Sequence, residues 1–284
     1  MSVPKITRFA DVEELLAAVN APCALADSFR SSITQGRGFT GTDSLAEAVA
    51  LARKGWQGGT AEIERLRIEI DRSLSGLIPM LEPFYDVTGD MIDVGRFVTG
   101  EPEDFLTLVD NGLRHESPSP RIVHIVCNIA VSGSISQDVI MRRGAAMVVL
   151  IDTLERHGIR CRVDLVDVTA DKRQGGDQFE VYMTVKHDGE SVSIDKLAYF
   201  LAHASAMRRL LFAVYEHFPD PIRRQFGIGR DMQGAYGFPG IASEQGTIYI
   251  DRIISAVDWS EQFTLAWLKA QLRKQGIAIE EETK

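Results

Sequence analysis

The 284-residue chain is 45% hydrophobic and 25% charged with a net charge of -9, a balance that fits a folded globular protein rather than a disordered or membrane-embedded one. An acidic chain lacks the cationic excess that sequence-independent nucleic-acid binding needs, which leaves a local arginine patch as the route to nucleic acid. No apolar run reaches the roughly 18–20 residues of a membrane span, and the acid-bearing N-terminus has no apolar h-region, so a cytoplasmic protein with no membrane partner is expected.

In chain order, residues 11–20 predict a short helix capped by Asp11 and stopped before Pro22. The polar, glycine-rich stretch 28–42 reads as a loop. Helical spacing resumes at Ser44 and breaks at Gly58-Gly59, and residues 60–77 place Ile63, Leu66, Ile70 and Leu74 on one helical face. These helices make residues 1–78 a helical N-terminal extension to an α/β core domain at 79–284. Between Met80 and Phe105 the apolar period falls to two on either side of Thr88-Gly89-Asp90, which predicts a hairpin over 84–98.

Residues 121–169 are the most informative stretch. An apolar strand (122–131), a small turn at Ser132-Gly133-Ser134, an apolar-striped helix at about 137–157 and a second strand (161–168) make a βαβ unit. The expected fold class is therefore α/β, with a mixed, mainly parallel sheet flanked by helices and a Rossmann-like core. Phe179–Lys186 and Ser191–Ile194 predict a second hairpin, and both hairpins are expected to add antiparallel strands to that sheet. Next come a long helix over 196–217 capped by Asp195, a glycine-rich irregular stretch at 227–246, a short strand at Thr247–Ile250 and a last helix at about 260–275. Cys23, Cys127 and Cys161 have no metal-type spacing and read as reduced thiols, two of them within strands.

Three segments, FTGTDSLAEAVALARKGWQGG, MRRGAA at 141–146 and IDKLAYFLAHASAMRRLLFAVYEH at 194–217, resemble an uncharacterised protein family found in phage and mobile-element genomes. That resemblance implies an origin and no activity. Residues 121–169 also resemble a von Willebrand factor A-type domain, in which a strand enters an Asp-x-Ser-x-Ser metal turn, a helix follows and a strand returns. Ser132 and Ser134 match the two serines, but Ala130 stands where that resemblance would put the metal-ligating aspartate. Sliding the register by two puts Asn128 in the aspartate position and costs the first serine. Hydroxyls alone compete poorly with water for Mg²⁺, so a degenerate turn without metal or cofactor is expected.

Open α/β sheets bind ligands outside the carboxyl ends of their strands. Ser132, Gly133 and Ser134 at one strand end, with Asp167, Thr169 and Asp171 at the next, are accordingly the candidate ligand turn. Neither GxGxxG nor GxxxxGK[ST] occurs between strand and helix, and the six histidines form no HExxH-type pair, so no catalytic constellation is assigned. The doublets Arg142-Arg143, Arg208-Arg209 and Arg223-Arg224 read as solvated helix faces or salt-bridge partners. Residues 227–240, with Tyr236 and Phe238 and the flanking Arg223, Arg224 and Arg230, read as a mobile partner-contacting loop. The function expected is a non-catalytic interaction or assembly module, docking a protein partner or a second copy. The alternative is a nucleic-acid- or phosphate-processing enzyme or replication factor, using Asp167, Asp171 and an arginine doublet.

Overall fold

The computed structural model describes residues 6–74, 81–89, 91–110, 121–171, 177–229, 235–255, 259–277 and 279. Its strands are β1 (Ile6–Phe9), β2 (Leu81–Asp86), β3 (Met91–Ile92), β4 (Phe105–Asp110), β5 (Ile122–Asn128), β6 (Arg160–Ala170), β7 (Gln178–Lys186), β8 (Ile228–Gly229), β9 (Ala235–Tyr236), β10 (Phe238–Pro239) and β11 (Ile248–Ile250). The alternating apolar residues of the βαβ segment produce adjacent parallel strands, β5 and β6, with Ile122 opposite Arg160 and Asn128 opposite Val166. Around this pair lies a mixed, mostly parallel six-stranded sheet ordered β1-β7-β6-β5-β11, with β10 joining β6. β11 runs parallel to β5 and β1 parallel to β7, whereas β7 is antiparallel to β6.

Side chains alternate across this sheet as strand geometry requires. Val123, Ile125, Cys127, Val163, Leu165, Val181 and Met183 enter the main core, while Val126, Val166, Val168 and Tyr182 form a smaller cluster on the opposite face. Helices flank the sheet: α1 (Val12–Val19), α2 (Leu45–Lys54), α3 (Thr60–Leu74), α5 (Gln137–Arg156), α6 (Ile194–Ala202), α7 (Ala206–Glu216), α8 (Asp220–Phe226) and α9 (Glu261–Lys274), while α4 (Val94–Thr99) lies between β3 and β4 in the chain. Local caps fix their starts, since Asp11, Ser44 and Ser260 each accept an amide of the first turn. The crossover helix α5 is buried along most of its length and crosses α6 at Gly144, where a Cβ would lie 2.3 Å from the Ala202 Cα and the Leu201 carbonyl oxygen. Gly144→Ala is therefore expected to destabilise the fold by about 1–3 kcal/mol, read as a lower urea midpoint at unchanged slope.

Several expectations need correction. The segment 84–98 is no hairpin and does not join the main sheet, because β2 and β3 both pair with β4 in a separate three-stranded sheet ordered β2-β4-β3. Gly89 permits close passage rather than a two-residue turn: a Cβ there would lie 2.9 Å from Thr107 Oγ1 and 3.1 Å from the Leu106 backbone. Asp93 then caps α4 by accepting the Gly95 and Arg96 amides, and Gly100 ends it in the left-handed conformation. β7 supplies the expected antiparallel strand, but Ser191–Ser193 leads into α6 instead of returning as a partner. Ahead of α1, β1 forms an edge strand of the main sheet. The single helix expected over 196–217 bends by 65° between α6 and α7. Extended His203 breaks the ladder there, and the Ser205 amide donates to its Nδ1 at 3.2 Å. Among the described residues no single helix is long and apolar enough to cross a membrane, and this bent pair is buried in the core.

Candidate functional site

The carboxyl ends of β5 and β6 open onto a cleft of about 490 Å³. Ser132 and Gly133 from the β5–α5 turn line it, as do Asp167, Thr169 and Asp171 from β6. Arg224, Tyr236 and Phe238 reach it from the opposite side. Members of the two groups of candidate residues, separated by some 50 positions in sequence, thus meet at one place, whereas Ser134 and Arg223 do not line it. Phe39, Val131, Met207, Phe212 and Phe226 supply most of the remaining apolar wall. β10 roofs the far end: it takes over the edge of β6 where β5 stops, with Phe238 opposite Ala170, Pro239 opposite Thr169, and the Gly240 amide donating to the Val168 carbonyl at 2.8 Å.

Most of the polar candidates are already engaged. Asp167 is buried, and its Oδ2 accepts the Tyr215 hydroxyl at 2.9 Å. Burial pushes its carboxyl up to about 6, partly offset by that hydroxyl. Buried Thr169 donates to the Tyr236 carbonyl, and Gly237, at a φ of 73°, passes so close that a Cβ would collide with the Thr169 hydroxyl. Asp171 is half-buried at the rim, its amide donating to the Asp177 carbonyl at 3.0 Å. Ser132 and Ser134 place their hydroxyl oxygens 3.2 Å apart, with Ser134 exposed.

Arg143, Arg208 and Arg209 are the largest departure from expectation, being built into the interior where solvated faces or salt-bridge partners were expected, whereas Arg223 and Arg224 do pair with Asp220. Arg208 and Arg209 are fully buried in α7. Arg208 donates to the carbonyls of Phe39 and Ile135 at 2.9 and 2.8 Å, and lies 4.2 Å over the Phe39 ring. Arg209 donates to the carbonyls of Ser32, Gln35 and Thr42 at 2.7–2.8 Å, so it pins the stretch 28–42 into short helical turns instead of an open loop. Arg143, also fully buried, donates to the Asn128 carbonyl at 3.0 Å. Desolvation lowers all three guanidiniums, Arg208 to about 10. Arg223 is buried against Asp220 and the Phe218 carbonyl, leaving Arg224 as the exposed member of its doublet. Arg230 and Gly234 fall outside the described residues.

The 227–240 stretch, expected as a mobile loop, is tied down where it is described. The Tyr236 ring stacks on Phe212 with centroids 3.5 Å apart, and its hydroxyl donates to buried Glu216. Phe238 is about half exposed at the rim. Glu216 escaped sequence reasoning; the available signal was an acid next to an otherwise apolar helical face.

Nor do the residues of the turn fit a divalent cation. Asn128 is consumed, its Nδ2 donating to the Gly240 carbonyl at 2.9 Å and its Oδ1 accepting the Ala130 amide at 3.1 Å. Arg208 supplies positive charge behind the turn, 3.4 Å from the Ser132 carbonyl. Among the described residues no three His, Cys, Asp or Glu side chains gather to hold a metal ion.

Residues 4–279 match the family described as Domain of unknown function (DUF7192). The chain belongs to the DUF7192 family. No curated protein and no solved structure matches it. The cleft of this DUF7192 chain offers apolar and aromatic walls, the buried Asp167 carboxyl, the half-buried Asp171 and the exposed Arg224 guanidinium.

Proposed function

We propose that the chain is a non-catalytic protein-interaction or assembly module of a phage or mobile genetic element, and that the cleft between β5, β6 and β10 receives a segment of its partner or of a second copy. One observation carries this reading: the turn, the strand end and the glycine-rich stretch all line one cleft whose walls are largely apolar. Such a surface suits an apolar side chain, with the Asp167 carboxyl as acceptor for a donor at its tip. The strand–turn–helix–strand succession supports a von Willebrand A-like core without its metal carboxylate.

A second reading, a nucleic-acid- or phosphate-processing enzyme, draws on the presence of Asp167, Asp171 and Arg224 in the same cleft. Arg224 is the cation that would have to hold a phosphate against these two carboxylates, and it already lies 3.7 Å from Asp220, which favours the first reading.

Gly133→Phe separates the two. A Cβ at Gly133 meets nothing within 4 Å and Gly133 lines the cleft, so a ring there is expected to narrow the cleft without straining the fold. Proteins co-purifying with the wild-type chain from a carrier cell are expected to be lost with Gly133→Phe at unchanged thermal stability. An unchanged partner set, together with phosphodiester hydrolysis by the wild type that Asp167→Asn abolishes, would replace the interaction reading with the enzymatic one.

A further inference from the structure

The small sheet β2-β4-β3 and helix α4, residues 81–110, expose apolar side chains that the main core does not use. Phe84, Met91 and Ile92 on its strands are 52%, 53% and 49% exposed. On α4, Val94, Phe97 and Val98 are 68%, 60% and 76% exposed and lie at i, i+3 and i+4, so they form one outward ridge. Large side chains concentrated in this way mark an interaction surface rather than scattered surface hydrophobics.

Charge says what kind. Residues 81–110 contain eight acids, Glu82, Asp86, Asp90, Asp93, Glu101, Glu103, Asp104 and Asp110, against a single arginine, Arg96, a net charge of -7. Arg96 is itself engaged, 2.8 Å from Glu101 and 4.1 Å over the Tyr85 ring. The rest of the chain is nearly neutral, with 30 basic and 32 acidic residues, so most of the acidity of the whole protein sits on this one unit. A second copy would bring two such charges together, and an anionic lipid surface would be repelled in the same way.

We propose that residues 84–89 and 91–107 form a docking surface for a protein partner that presents a cationic amphipathic helix, its apolar face on the α4 ridge and its lysines or arginines toward the carboxylates of Glu101, Glu103 and Asp104. An i, i+3, i+4 ridge fits the groove of a second helix, and the acids steer and orient the approach. The surface is separate from the cleft and does not depend on its occupant.

The probe is a synthetic amphipathic helix of leucine and lysine, about 18 residues long, labelled for fluorescence anisotropy against the full chain. A scrambled peptide of the same composition serves as control. Binding is expected to weaken at least about tenfold for the scrambled peptide and for the Val94→Ser/Phe97→Ser/Val98→Ser variant. The Glu101→Gln/Glu103→Gln/Asp104→Asn variant should bind more weakly and with a shallower salt dependence. Because the replaced ridge side chains are exposed, melting curves of the triple serine variant should match wild type. Equal binding of both peptides, or unchanged affinity in the ridge variant, overturns the proposal. So does a wild-type dimer that the ridge variant dissolves, which would make a second copy the occupant, or ridge-dependent binding to phosphatidylserine vesicles.

Discussion

Glu216→Ala is expected to cost about 3–5 kcal/mol of folding stability, because it removes the buried partner of Arg30 and leaves that guanidinium only the exposed Asp27 at 3.6 Å. Glu216 is 1% exposed and Arg30 8%, and the Arg30 Nε lies 2.9 Å from the carboxylate. The same carboxylate accepts the Ser32 amide at 2.9 Å, the Ser32 hydroxyl and the Tyr236 hydroxyl. It therefore joins the 28–42 stretch, the end of α7 and the wall of the cleft. Urea titration measures the loss, and near-ultraviolet circular dichroism should report the release of Tyr236 from Phe212. Replacing both members, as Arg30→Met/Glu216→Leu, is expected to recover much of the stability, since no charge is then left unpaired. A loss below about 1 kcal/mol in the single variant would show that the pair is solvated and the junction unimportant.

Asp167→Asn should act in the opposite direction, and only above acidic pH. The Asp167 carboxyl is raised from 3.8 to about 6 by burial. A raised carboxyl binds its proton more tightly in the folded state, so its contribution to stability is complete below about pH 4 and is lost as pH rises through about 6. Two units correspond to roughly 3 kcal/mol carried as a penalty at neutral pH. Asparagine keeps the shape and an acceptor for the Tyr215 hydroxyl without the charge. The variant is therefore expected to be more stable than wild type at about pH 7.5 by up to roughly 3 kcal/mol, with the advantage vanishing near pH 4. Parallel stability curves for the two proteins across this range would refute the assignment. If the cleft holds a donor from a partner, the same substitution weakens that binding, so Asp167 trades stability for recognition.

The βαβ unit was legible because it is local: alternation, a small turn and a helical stripe are read within fifty residues. That Ser132, Gly133, Asp167, Thr169 and Asp171 line one cleft was legible too, since these residues sit at the carboxyl ends of adjacent strands. Arg208 and Arg209 were not, because a doublet of arginines looks the same whether it meets water or carbonyls. The carbonyls that bury Arg209 belong to residues 32–42, about 170 positions upstream. A signal was present, since these arginines stand in a helix that is apolar on nearly every side, where a solvated face has no room. Helix α4 was missed differently: Asp93 and Gly100 are a cap and a stop, and the apolar period of two around them concealed both.

The pairing of β1 with β7 also has a consequence during synthesis. Ile6 lies opposite Glu180, so β1 finds its neighbour only after some 174 further residues have been made. At translation speeds of about 5–20 residues per second the segment waits roughly 10–35 s unpaired. Its shortness, four residues, and the polar Thr7 and Arg8 within it make that wait safe, because a brief, charged edge is a poor template for a neighbouring nascent chain.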